Sequence, residues 1–315
     1  MAAYYTFEDL SGSTGNGVKT DNPYHDLIES CDNEPAKIQA RYDTHRTNRN
    51  AQQKDKLLSP DFPGVTLDEI LAKLENPKQY PDYKDPRHCL VFWARPTSQV
   101  KSLIAEVQSR LKEVVPNLWT MPQNSLHMTA LEITHSLTAP EIDALVNQIL
   151  PHAETVTNYT LNHRSRLVKP MVSFDAQALA LSWLPADAEP GRSEEEDKYT
   201  YHHLRRDLFT LASNTGVKVA SRYVIPTAHL TIGRFIQTAD LEGHDGKVDG
   251  QKVKKLVERI EEINEWLREF WPKEGDRAIR DGGEWVVGRE KGLEFRKGSL
   301  WYGGGGETVM VGKGF

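Results

Sequence analysis

The chain is poor in residues that build covalent or metallic frameworks. It has two cysteines, Cys31 and Cys89, among 315 residues, so neither a multi-bridge disulfide scaffold nor a cysteine-rich metal cluster can form. Both are read as reduced structural thiols. Long apolar runs are also missing. No stretch approaches the roughly 18 residues of a membrane helix, and the opening MAAYYTFEDL lacks an apolar signal core. An intracellular protein, cytoplasmic or nuclear and with no membrane partner, is therefore expected. A basic excess is absent as well. The formal net charge is −6, which argues against coating long nucleic acid. A nucleotide or an RNA end, needing only a local basic patch, stays within reach. The glycine run Gly303–Gly306 is not followed by a helix opening on Lys and Ser or Thr, so it is read as a hairpin turn, not a phosphate loop.

Organisation changes near residue 85. The first 20 residues are rich in Gly, Ser and Thr and are expected to be flexible. From Pro23 to Leu58 the composition is helical but polar, with few apolar anchors. TLDEILAKL, Thr66 to Leu74, reads as a short helix with Thr66 as N-cap and Glu69 completing a capping box. Residues 1–85 are thus expected to form an extension packed on a main domain spanning 86–315.

The main domain carries alternating strand and helix signals. CLVFWARP is a strand. Ser98 to Val115 is an amphipathic helix, Trp119 to Met121 a short strand, Leu126 to Ile133 a strand and Ala139 to Leu150 a helix. PMVSFD and QALALSWL are two antiparallel strands, followed by an acidic insert, PADAEPGRSEEED, read as a solvated loop. Then come a helix from Tyr199 to Ala212, strands KVASRYV and AHLTIGRF, and a long helix from Val253 to Trp271. EWVVGRE, LEFRKG, SLWYG and ETVMVG close the chain as short strands. The mixed order with antiparallel neighbours predicts an α+β fold. The two halves share one order, strand, helix, strand, helix, which suggests two pseudo-symmetric lobes.

Within that repeat, two strands carry a His-x-Thr triplet: His127-Met128-Thr129 and His229-Leu230-Thr231. In a strand, residues i and i+2 share a face, so each triplet presents an imidazole and a hydroxyl side by side. With 11 histidines, about one such triplet is expected by accident, and His45-Arg46-Thr47 and His163-Arg164-Ser165 are set aside because they lack apolar alternation. The other two align without gaps, LHMTALEI against AHLTIGRF, about 100 residues apart. Two imidazoles from facing strands suit in-line phosphoryl transfer, which rests on positioning and charge stabilisation. Histidine titrates near neutrality, so one can act as neutral base and the other as charged acid, with a bell-shaped pH profile.

On these two triplets, in this two-lobed order, residues 88–315 resemble the two-histidine (2H) phosphoesterase superfamily, and most of all the fungal cyclic phosphodiesterase and RNA ligase-like proteins. The resemblance implies two lobes, each an antiparallel sheet with helices, around a central cleft lined by His127, Thr129, His229 and Thr231. It implies a metal-independent phosphodiesterase with no cofactor, opening 2′,3′-cyclic phosphates of nucleosides, RNA ends or ADP-ribose. His127 would be the acid, His229 the base, and the threonines would hold the phosphate oxygens. The P–O3′ bond would break, leaving a 2′-phosphate. Residues 1–85 are not explained by it.

Strand parity extends the candidate site. Gly233 and Phe235 fall on the face of His229, where glycine would leave room for substrate and Phe235 would stack on a base. Arg234 points away by parity but lies near the strand end, within swinging distance of a phosphate. Tyr223, Trp93 and Tyr302 are further aromatic candidates. Arg164, Arg166 and Lys169 form a basic cluster, read by default as a solvated surface and, as the sharper option, as a contact for an RNA end. Other readings stay open: a 2′-5′ phosphodiesterase or RNA 3′-end exonuclease, a non-catalytic nucleotide- or RNA-end-binding module, and a metal site on the two histidines, which lacks further ligands at motif spacing. A monomer is expected.

Overall fold

The computed structural model describes residues 8–12, 21–190, 193–273 and 275–315. Most of the Gly/Ser/Thr-rich opening, and Gly191 and Arg192 of the acidic insert, lie outside the described residues. Three helices precede the first strand: α1 (His25–Ser30), α2 (Pro35–Leu58) and α3 (Glu69–Leu74). Next come β1 (His88–Ala94), α4 (Ser98–Lys112), β2 (Trp119–Thr120), β3 (Met128–Leu137), α5 (Ala139–Ile149) and α6 (Ala153–Thr157). The second half holds β4 (Arg166–Phe174), β5 (Ala178–Pro185), α7 (Glu194–Asp197), α8 (Tyr201–Ser213), β6 (Ala228–Arg234) and α9 (Gly250–Leu267), then β7 (Glu284–Val286), β8 (Lys291–Gly298) and β9 (Glu307–Lys313). No helix among the described residues is long and apolar enough to cross a membrane.

The fold is α+β with two antiparallel sheets. One has the order β3-β1-β8-β9, the other β2-β6-β5-β4-β7. The sheets do not divide the chain at its middle, as a simple repeat of halves would. The C-terminal hairpin β8–β9 returns to pair with β1, and β2 from the first half pairs with β6. Helices α5, α6 and α8 pack on the first sheet, and α2, α4 and α9 on the second. Their apolar stripes explain this. Val100, Leu103, Ile104, Val107 and Leu111 bury one face of α4, and Val253, Leu256, Val257, Ile260 and Ile263 one face of α9, at the spacing of a helix.

Helix α2 docks differently, which is why its sequence is so polar. Gln39 donates to the carbonyl of Pro185 at 2.8 Å, Arg46 to Lys169 at 2.6 Å and Asn50 to Val172 at 2.9 Å. Polar side chains thus satisfy backbone carbonyls of β4 and β5, where an irregular register between Val168 and Met171 opens the ladder. Three sequence expectations need correction. Helix α3 is capped by Asp68, not Thr66: Oδ1 of Asp68 accepts the Leu71 N–H at 3.1 Å. The cause is that Thr66 and Asp68 donate their backbone N–H groups to Ala176 and Phe235, which holds residues 66–68 extended along the second sheet. KVASRYV is not a strand. Glu132 accepts the Arg222 N–H at 3.1 Å, so a carboxylate takes a group that a ladder would use. SLWYG is a turn in the β8–β9 hairpin, bent through the left-handed glycines Gly303 and Gly306.

Candidate active site

Edge strand β3 and strand β6 bring the two sheets together around a cleft of about 730 Å³, counting its open mouth. His127, Thr129, His229 and Thr231 all line it, with Trp93, Glu132, Arg222, Tyr223, Thr227, Arg234 and Trp301 also at its wall. The four motif side chains are half-buried.

The two motif strands share an irregularity that the sequence does not announce. On the first, Trp93 pairs with Thr129 but Phe92 pairs with Leu131, leaving Ala130 as an extra residue. On the second, Ala180 pairs with Thr231 but Leu179 pairs with Gly233, leaving Ile232 extra. Each bulge lies one residue after the motif threonine. A bulge shifts the alternation of faces by one. The third residue after each threonine therefore returns to the cleft: Glu132 on one strand, Arg234 on the other. The same shift corrects two expectations. Phe235 turns into the hydrophobic core, where it is 4% exposed, and cannot stack on a base. Gly233 packs under β2; a Cβ there would sit 3.0 Å from the Leu118 side chain and 3.2 Å from the Trp119 carbonyl. It leaves no room for substrate.

His127 is held on two sides. Its Nδ1–H donates to the carbonyl of Ser125 at 2.7 Å; a carbonyl only accepts, so neutral His127 carries its proton on Nδ1 and its lone pair on Nε2. The Trp93 ring stacks on it at 3.7 Å between centroids. The Ser125 loop is itself fixed, since Arg95 donates to the Leu126 carbonyl at 3.0 Å and to Glu294 at 2.7 Å. The glycine run completes the support. Gly303 has φ 74°, and a Cβ there would lie 2.4 Å from the Ser125 carbonyl oxygen, the one that orients His127.

His229 has a different partner. Its Nδ1 lies 2.9 Å from Oγ1 of Thr227, and a hydroxyl can donate or accept. Arg205 fixes the backbone there, donating to the carbonyls of Ile225 at 2.9 Å and Thr227 at 3.4 Å. Burial takes His127 from an ordinary 6.5 down to about 3, with Arg95 and Arg296 pushing the same way. Burial likewise takes His229 down to about 4, reinforced by Arg49 and Arg205. Both imidazoles are therefore neutral at pH 7 in the open cleft, not one neutral and one charged; desolvation without an anion disfavours the cation.

The cationic groups at the cleft are paired. Arg222 binds Glu132 through two hydrogen bonds of 2.9 and 2.6 Å. Its guanidinium lies 4.6 Å from the Trp301 ring, which Arg87 approaches from 4.4 Å. Arg234 reaches Asp68 at 3.2 Å. Of the aromatic candidates, Trp93 stacks on His127, Tyr223 lies 5.6 Å from His229, and Tyr302 donates to Asp68 at 2.6 Å. The basic cluster is structural: Arg166 pairs with Asp197 and Glu284, Lys169 with Glu189, and Arg164 covers Phe315. The two discarded triplets stay outside the cleft. His45 is buried in α2, accepting the Leu10 N–H, and His163 stacks on Tyr159. Among the described residues no group of three or more His, Cys, Asp or Glu is placed to hold a metal.

Sequence reasoning missed Glu132, Arg222 and Thr227. Thr227 had a signal, being two residues before His229 on the same face. Glu132 and Arg222 had none, because the bulge and a non-local ion pair place them.

No family model matches the chain, nor does any curated protein. Among solved structures, a conserved protein of unknown function from Agrobacterium tumefaciens str. C58 has a TM-score of 0.44 at 17% identity, over 72% of this chain and 86% of its own.

Proposed function

We propose that the cleft hydrolyses a phosphodiester by two-histidine acid/base catalysis, with 2′,3′-cyclic phosphates of nucleosides, RNA ends or ADP-ribose as the substrate class. One observation carries this reading: two imidazoles and two threonine hydroxyls, on strands with matching bulges, line the same cleft. In-line displacement needs a base on one side of phosphorus and an acid on the other.

The hydrogen-bond partners favour His127 as base and His229 as acid, the reverse of what the resemblance implies. Neutral His127 already has its lone pair on Nε2. When His229 is charged, its Nδ1–H has the Thr227 hydroxyl as acceptor. In the reaction, Nε2 of His127 removes a proton from water, the water oxygen bonds to phosphorus, and the ester P–O bond breaks. His229, charged beside the bound anion, gives its Nε2 proton to the departing ribose oxygen. The hydroxyls of Thr129 and Thr231 donate to the non-bridging oxygens. The paired arginines at the cleft favour a nucleoside-sized substrate over a long strand.

The test is turnover of a panel of 2′,3′-cyclic nucleotides, ADP-ribose cyclic phosphate and 2′-5′ dinucleotides in EDTA. Conversion of the cyclic esters to monoesters supports the reading. Binding without turnover points to a module instead, and activity lost in EDTA and restored by zinc points to a metal enzyme.

A further inference from the structure

The segment ahead of β1 places one carboxylate, that of Asp68, against a cationic residue of the cleft wall. Backbone bonds from Thr66 to Ala176 at 2.7 Å and from Asp68 to Phe235 at 2.9 Å fix residues 66–68 along the end of the second sheet. Asp68 is thereby held at the end of β6. Its Oδ1 accepts the Leu71 N–H at 3.1 Å and the Tyr302 hydroxyl at 2.6 Å; its Oδ2 accepts Nη1 of Arg234 at 3.2 Å. Tyr302 belongs to the hairpin of the first sheet and Arg234 to the second, so one carboxylate joins both sheets at this end of the cleft.

Arg234 is left with donors to give. A guanidinium carries five N–H groups, and its Nε is buried without a hydrogen-bond partner among the described residues. Such a donor calls for an acceptor. Arg234 lines the cleft three residues after Thr231, on the same face because of the bulge, so an anion held by the Thr231 hydroxyl would offer it an acceptor. The carboxylate of Asp68 fixes the far side of the fork, and a planar fork anchored at one edge offers the other in a set direction.

We propose that Asp68 is a positioning residue: it aims Arg234 at the anionic group of the substrate and, through Tyr302, holds the two sheets at the spacing this requires. The inference rests on the cleft binding a phosphate ester, and it gives the N-terminal extension a part in the site.

Asp68→Asn is the discriminating variant. Asparagine keeps the N-cap of α3 and an acceptor for Tyr302, so it removes the charge facing Arg234 and little else. Inorganic phosphate, titrated by calorimetry, is the probe, and KM and kcat are read on the same proteins. Asp68→Asn is expected to weaken phosphate binding and raise KM by about tenfold while kcat stays within about twofold, the pattern of lost uniform binding. Asp68→Glu should recover most of the loss, and in Arg234→Gln the Asp68→Asn change should have no further effect. Unchanged phosphate binding in Asp68→Asn, additive losses in the double variant, or a wild type that does not bind phosphate each overturn the inference. Coupled phosphate binding without turnover of any phosphodiester overturns the catalytic reading and leaves the positioning role in place.

Discussion

His127 donates its Nδ1–H to the carbonyl oxygen of Ser125 at 2.7 Å, and that oxygen is the contact a Cβ on Gly303 would violate, at 2.4 Å. A turn in the C-terminal hairpin thus sets the orientation of an imidazole about 175 residues earlier in the chain. Gly303→Ala should push the Ser125 carbonyl away and rotate the ring. Loss of kcat by about tenfold to a hundredfold is expected, as misplacement of a reacting group by about an ångström can cost on the order of 10²-fold. Steady-state kinetics beside a circular dichroism melt would separate this from general unfolding.

Phosphate binding should take up a proton. In the open cleft both histidines are neutral at pH 7, with His229 held at about 4 and His127 at about 3. An anion beside either imidazole favours its charged form. Calorimetric titration of phosphate at pH 7 in two buffers of different ionisation enthalpy should show uptake approaching one proton per site. Equal apparent enthalpies in both buffers would contradict this.

The Trp93 ring covers one face of His127. In Trp93→Leu the ring should regain water, and its titration midpoint, followed by the imidazole Cε1–H resonance, should rise from about 3 toward 6.5. A midpoint unmoved by the substitution would place the cause elsewhere.

Acid should destabilise the fold earlier than carboxylates alone would. His127, His203 and His229 are held at about 3, 4 and 4, and His202 well below 6.5, all chiefly by burial. The unfolded chain binds protons on these residues below about 6.5, whereas the folded protein does not until pH 4 or lower, so stability rises with pH across that window. Denaturant midpoints should be flat above pH 7 and fall steadily from pH 6.5 to 4.

Much of the candidate site was legible because local pattern in β3 and β6 places its side chains. The flanking apolar residues of His127 and His229 mark strands, and the i, i+2 rule puts each threonine beside its histidine. Parity then misled at Phe235 and Arg234, because one extra residue, Ile232, inverts the faces and leaves no mark in composition. The matching bulge at Ala130 hid Glu132. Strand-to-sheet assignment was equally out of reach: β2 and the β8–β9 hairpin each join a sheet through pairing with a strand from the other half of the chain. The polar face of α2 suggested few anchors, yet its Gln39, Arg46 and Asn50 bind strand carbonyls that no sequence window displays.

The central claim is that both imidazoles transfer protons to and from a phosphodiester. Single-turnover hydrolysis of 2′,3′-cyclic adenosine monophosphate in EDTA, by the wild type, His127→Ala and His229→Ala, tests it most directly. Each substitution should lower the rate by about 10²- to 10⁴-fold, the usual worth of a general acid or base, with the melting temperature near that of the wild type. Hydrolysis at the wild-type rate in either variant would contradict the account.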